Sequence, residues 1–156
     1  MKITKKDVKI ISHMRNNSRE MLTKISRKTG LPVSTIFDRI KMHTGGFIKK
    51  NTSLLDFQAL GFNSRAKVIL KVEKSDRTEI KSLLTLNHNV NSLYRINNGY
   101  DFMFEAIFRN MKDLEDFIGN LEEKFSIIEK HVYYVIDDIK EEEFLAKENA
   151  VQLAFT

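Results

Sequence analysis

The spacing of apolar residues changes along the chain, from intervals of three and four before residue 52 to alternation after residue 64. In residues 5–15, Ile10, Ile11 and Met14 continue from Ile3 at helical spacing. Thr4 stands before that run and Asp7 follows three residues on, a box-like pair suited to the positive end of a helix. Asn16-Asn17-Ser18 interrupts the pattern, and a second helix is predicted from residue 19 or 22 to 28, with Leu22 and Ile25 inward. Small Ser26 beside them lets a third helix approach closely.

That third helix lies in residues 29–43, TGLPVSTIFDRIKMH. Val33, Ile36, Phe37 and Ile40 fall at i, i+3, i+4 and i+7 and predict one apolar stripe, with Ser34, Thr35, Asp38, Arg39 and Lys41 opposite. Gly30 suits the left-handed end of the preceding helix, and Pro32 suits a first helical position. Two helices meeting across three or four residues have the spacing of a helix-turn-helix, whose second helix enters the DNA major groove. The alternative is an α-hairpin with an ordinary amphipathic surface helix. Beyond it, Gly45-Gly46 and the run Phe47-Ile48-Lys49-Lys50 predict a turn into a short strand over 47–52, a basic wing.

After a connection at 53–63, Ala66, Val68, Leu70 and Val72 alternate with Lys67, Ile69 and Lys71, which is strand periodicity. Ser75-Asp76 caps a predicted helix carrying Ile80, Leu83 and Leu84, and a second strand covers 90–96. Asn97-Asn98-Gly99 is a strong turn signal. A third strand covers 100–109, with Phe102, Phe104, Ala106 and Phe108 against Met103, Glu105 and Ile107. Asn110 caps a helix bearing Leu114, Phe117, Ile118 and Leu121, and residues 127–136 form the last strand. The predicted order βαββαβ is a ferredoxin-like split unit. Helices cover one face of such a sheet, so apolar residues on both faces imply a second layer, most economically a homodimer packed sheet to sheet. The tail, 150–155, is apolar enough for a last strand or an oligomer contact. The predicted fold class is therefore α+β: a winged helix-turn-helix at 1–52, a linker at 53–63 and a ferredoxin-like sensing or assembly domain at 64–156.

Charge sharpens this division. Residues 1–51 hold 13 Lys and Arg against 3 Asp and Glu, a net of +10, whereas residues 52–156 carry a net of −5. A basic head on a mildly acidic body points to nucleic acid. An apolar fraction of 42% with 11 Phe excludes a disordered chain. No apolar run approaches the roughly 18 residues that cross a bilayer, and the start MKITKKDVKII is no signal peptide, so a cytoplasmic location is expected. The absence of Cys removes disulfides, thiolate metal sites and thiol catalysis. His13, His43, His88 and His131 are scattered, with none three or four residues from another, so neither a metal site nor a general base is expected. His13 and His43 are read as surface residues and His131 as a structural one on its strand. Phosphate-loop, dinucleotide and nucleophile-elbow motifs are absent as well.

At this point the whole chain resembles the Lrp/AsnC (feast/famine) transcriptional regulators. In the head the likeness rests on Asp7-Val8-Lys9-Ile10-Ile11, Met14, Asn17, Arg19, Thr29-Gly30-Leu31, Ser34-Thr35-Ile36, Arg39-Ile40, Phe47-Ile48-Lys49 and Leu60-Gly61. In the body it rests on Gly99-Tyr100-Asp101 before a strand, with Asn98 in place of the family's first Gly, and on the Leu114/Phe117 helix. The resemblance implies a DNA-binding regulator that dimerises, assembles further to a tetramer or octamer, and binds an amino acid or similar effector.

Candidate contacts to double-stranded DNA are Arg19, Lys24, Lys28, Ser34, Thr35, Asp38, Arg39, Lys41, Lys49 and Lys50. Ser34 and Thr35 stand where a recognition helix meets bases; Arg39 either reaches DNA or pairs with Asp7 or Glu20. Lys49 and Lys50 would touch only phosphates. Candidate effector residues are Asn98, Gly99, Tyr100 and Asp101, with Asp101 either binding an ammonium group or holding the turn. No cofactor or metal is expected. The alternatives are a DNA-binding or architectural protein without an effector and, more remotely, an enzyme of the siroheme decarboxylase type, which shares the two-part fold.

Overall fold

The structure, a computed structural model, describes residues 3–147 and 149–155. It divides into two compact units, Met1–Leu54 with Ile139–Thr156, and Leu55–Asp138.

In the helical unit, α1 (Lys5–Asn16) begins at the expected capping box. The Asp7 amide donates to Thr4 Oγ1 at 3.4 Å, and the Thr4 amide donates to Asp7 Oδ2 at 2.8 Å. The second helix, α2 (Leu22–Thr29), ends on Gly30 at φ 71°, where its amide reaches the Ser26 carbonyl. The third, α3 (Val33–His43), follows directly, with Pro32 as N-cap one position before the helix proper. Ile10, Ile25 and Ile36 form the core, with Met14, Leu22, Leu31 and Ile40 packed against them.

Two expectations change on α3. The predicted four-residue stripe on α3 splits: Ile36 is buried, whereas Val33 is 39% and Phe37 54% exposed. The seam with α1 and α2 is narrower than the stripe and runs along Ile36, Ile40 and His43, so Phe37 lies beyond its edge. His43, read as a surface residue, is only 2% exposed.

The expected wing strand at 47–52 is instead a turn with a single bridge, Thr44 to Ile48. Gly45 at φ 82° permits this, and the Gly46 and Ile48 amides both return to the His43 carbonyl. Those local bonds use groups a wing would have needed, and no second strand in 44–63 is available to pair with it.

The tail is also different. Residues 150–155 form a short helix, α6 (Ala150–Phe155), packed on α1, rather than a strand. Arg15 anchors its approach by donating to the carbonyls of Glu142 and Phe144 at 2.6 and 3.0 Å. The segment from Ile139, assigned to the body on pattern alone, therefore groups with the helical unit.

The second unit follows the expected order: β1 (Ser64–Val72), α4 (Arg77–Leu86), β2 (Val90–Arg95), β3 (Phe102–Phe108), α5 (Met111–Lys124) and β4 (Ile127–Tyr134). The strands lie in the order β2-β3-β1-β4, each antiparallel to its neighbours. Asn110 caps α5 by accepting from the Asp113 amide at 2.9 Å. Asp76 stands at the start of α4, but its carboxylate accepts from the Ser126 amide instead of a helix amide. Ala66, Val68, Leu70, Phe102 and Phe104 face the helices and meet Ile80, Leu84, Leu114 and Ile118 in one core.

The other face mixes apolar Ile69, Met103 and Ile107 with charge. Arg65 Nε donates to Glu105 Oε1 at 2.7 Å, and Asn91 binds the other Glu105 oxygen at 2.5 Å. His131 lies half-buried on this face, pairing with Ile69 across the strands.

Candidate nucleic-acid interface

The face of α3 that points away from Ile10 and Ile25 carries Ser34, Asp38 and Lys41, all exposed, with half-buried Thr35 at its rim. No side chain caps the start of α3, so its first amides have no acceptor from a capping residue. Ser26 Oγ, donating to the Leu31 carbonyl at 2.6 Å, braces the turn that aims the helix. Arg19, Lys49 and Lys50 are exposed and form no ion pair among the described residues. Phe37 and Val33 share this surface, which a stripe-based reading assigns to the core; no sequence signal distinguishes them from Ile36 and Ile40.

Lys24 and Lys28 are engaged. Their ammonium groups lie 3.2 and 2.9 Å from Glu20 Oε1, and His13 Nδ1 lies 3.3 Å from Oε2. The Lys28 hydrogen bond, opposed by burial and reinforced by Lys24, holds the Glu20 carboxyl below its ordinary range.

Arg39 takes the structural alternative. Its Nη1 lies 3.2 and 3.3 Å from the two oxygens of Asp7, whose side chain is fully buried. Thr4 Oγ1 donates to Asp7 Oδ2 at 2.5 Å, and His43 Nε2 sits 2.9 Å from Oδ1. Burial pushes the Asp7 carboxyl up, but Thr4, His43 and the Arg39 charge outweigh it and hold the pKa at about 2. This cluster joins the start of α1 to the second half of α3, with Arg39 as its α3 cation.

The predicted effector residues do not converge. Asn98 and Gly99 turn the chain at φ 63° and 87° and are exposed. Asp101 points inward: Oδ2 accepts from the Val72 amide at 3.0 Å and Oδ1 lies 2.8 Å from Arg77 Nη2. It holds the turn, and its carboxylate is already matched. Tyr100 points to β4, donating to Glu129 at 2.8 Å and lying 2.9 Å from His131 Nε2. The Glu129 hydrogen bond, with burial, raises the Tyr100 pKa. Beside Asp101 opens a cleft of about 620 Å³ between α4 and β2, lined by Arg77, Lys81, Thr85, Ser92 and Arg95. The helical spacing of Arg77 and Lys81 was visible in the sequence; their meeting with Arg95 was not, because it depends on how α4 packs against β2.

Among the described residues, no helix is long and apolar enough to cross a membrane. Residues 65–144 match the family model described as the Lrp/AsnC ligand binding domain. The HTH-type transcriptional regulator FL11 of Pyrococcus horikoshii is 34% identical over 113 residues, which is 72% of this chain and 75% of that protein. Among solved structures, LrpC of Bacillus subtilis superposes with a TM-score of 0.80 at 23% identity, covering 90% of this chain and 99% of the other. A Neisseria meningitidis transcriptional regulator in complex with L-Met superposes with a TM-score of 0.81 at 19% identity, covering 90% and 94%. A helix-turn-helix with an outward polar face, the four-stranded sheet unit and these matches lead to one assignment: the chain belongs to the Lrp/AsnC family of transcriptional regulators.

Proposed function

We propose that this regulator lays α3 in the major groove of double-stranded DNA, with Ser34, Thr35, Asp38 and Lys41 toward the bases. Arg19, Lys24, Lys28, Lys49 and Lys50 then hold phosphates. The observation that carries this reading is the uncapped start of α3, with its exposed polar face, in a segment of net charge +10. Free helix amides and a positive field both favour phosphate. Acting on DNA, the protein works in the cytoplasm. The family assignment sets the decarboxylase alternative aside.

The test is a salt titration on a duplex selected from a random library and on random DNA. Lys50→Ala should weaken both equally and lower the salt slope by about one unit. Ser34→Ala should weaken mainly the selected duplex; equal loss on both would remove α3 from the base-reading role.

The sheet unit assembles copies and senses a small effector. Half-buried Ile69 and Met103 and exposed Tyr94 offer the open sheet face to a second copy. Ile107, 7% exposed within one chain, already serves its own unit, so Met103→Lys is the cleaner probe of that contact. Weaker self-association of this variant in ultracentrifugation is expected, and larger tetramers or octamers would build on the dimer.

The L-Met complex of the Neisseria relative supports an amino acid as effector. Arg77, Lys81 and Arg95 beside the Asn98–Asp101 turn supply partners for a carboxylate. A thermal-shift screen of the twenty amino acids checks this, because a ligand of the folded state at a hundred times its Kd adds about 2.7 kcal/mol. Twenty flat results would favour a sheet unit that only assembles.

A further inference from the structure

The outward face of α3 contains a feature that phosphate and hydrogen-bond recognition leave unused. Phe37 is 54% exposed and Val33, one turn earlier, is 39% exposed. The two lie at i and i+4, so they form one apolar spot, bordered by Ser34, Asp38 and Lys41. Among the described residues, no aromatic ring or cation stacks on Phe37, although Phe47 and His43 pair nearby at 5.1 Å. A benzyl side chain left in water on a helix already aimed outward is free to meet an apolar group of whatever that helix docks against.

The surroundings limit what that group is. Lys41, Arg19, Lys49 and Lys50 carry no ion pair among the described residues, and residues 1–51 have a net charge of +10. The occupant must therefore be strongly anionic and yet present a small apolar contact. Duplex DNA meets both conditions, because the C5-methyl of thymine is an apolar group on the floor of the major groove. Protein partners with a matching acidic, apolar surface would not account for the exposed hydrogen-bonding residues Ser34 and Asp38 on the same face.

We propose that Phe37, supported by Val33, reads thymine C5-methyl groups, so that each half-site of the operator carries A·T pairs with thymine placed under this ring. This rests on the DNA reading above and adds to it the base that the apolar part of α3 selects. Arg39, held by Asp7, fixes the helix at its far end and so sets where the ring falls along the groove.

The test uses the full-length protein and the duplex it selects from a random library. Each thymine is replaced in turn by deoxyuridine, which deletes the methyl and nothing else. One or two thymines per half-site should each lose about fourfold in affinity, the value of one buried methyl. In Phe37→Ala the thymine duplex should already bind more weakly, and the deoxyuridine changes should then cost nothing further, because the two losses report one contact. Thermal denaturation of the variant controls for folding, and the wild-type deoxyuridine series stands without any variant.

Wild-type protein indifferent to every deoxyuridine would overturn the inference while leaving specific DNA binding intact. A Phe37→Ala variant that keeps the full deoxyuridine penalty would overturn it by moving the methyl contact to another residue. Loss of self-association in Phe37→Ala with DNA affinity unchanged would overturn it in favour of a contact between copies. Failure of the wild type to select any sequence would overturn this inference together with the DNA reading beneath it.

Discussion

The helical unit centres on three buried isoleucines, Ile10, Ile25 and Ile36, whereas the sheet unit buries a continuous layer from Ala66 to Phe125. The helical unit compensates with a polar cluster around buried Asp7 and His43, completed by Thr4 and Arg39, that ties the first helix to the third. In the sheet unit charge stays on the open face, at Arg65 and Glu105, and the helix-covered face is apolar. The difference follows from what each must do. A sheet under two helices has area enough for a dry core. A three-helix head must leave much of α3 outside, so a few charged contacts set its orientation. Apolar burial is tolerant of small shifts, whereas a carboxylate with three partners is directional.

The largest expected effect probes the apolar side of this contrast. Phe104, 1% exposed at the centre of the sheet unit, should cost about 3–5 kcal/mol on replacement by Ala, read by urea unfolding. A loss below 1 kcal/mol would mean that the sheet core is not the dominant source of stability there.

Acid should break the helical unit's cluster next. The Asp7 carboxyl is held at about 2, below its ordinary 3.8, so its charged form is the one the fold favours. Its contribution is present above pH 4 and is lost as pH falls from about 4 to 2, about 1–2 kcal/mol once screening through the solvent-facing Arg39 is allowed for. Asp7→Asn should be less stable at pH 7 and should lack this acid limb. The measurement is stability against pH for both proteins; identical curves would show that the cluster is not coupled to folding.

The smallest effect concerns Glu20. Glu20→Gln frees Lys24 and Lys28 for phosphates, so affinity for random DNA at low salt should rise severalfold, with a steeper salt slope. Unchanged binding would leave both lysines outside the interface.

Local chemistry was legible wherever a few neighbouring residues decide it. Thr4 with Asp7, Gly30 at the end of the second helix, Asn110 before α5 and the turn at Asn98-Gly99 all act through bonds within a few positions. The βαββαβ order was legible for the same reason, since alternation and helical spacing are written residue by residue. Four readings needed the fold. Whether Phe37 faces in or out depends on the width of a seam made by two other helices. Whether residues 47–52 become a wing depends on a pairing strand, and the chain offers none within 44–63. The tail's place on α1 depends on contacts with a helix more than a hundred residues away, among which Arg15 holds the approach at Glu142 and Phe144. His43 and Arg39 become partners of Asp7 only when α3 crosses α1.

By itself the sequence determined most of the elements, their order and the basic head, because propensity, capping and charge are local or additive, and its motifs carried the family resemblance. Tertiary structure alone decided which side chains share a carboxylate, which apolar residues remain exposed and which unit claims the tail. Those outcomes turn on distances between segments far apart in the chain, and periodicity carries no information about such distances.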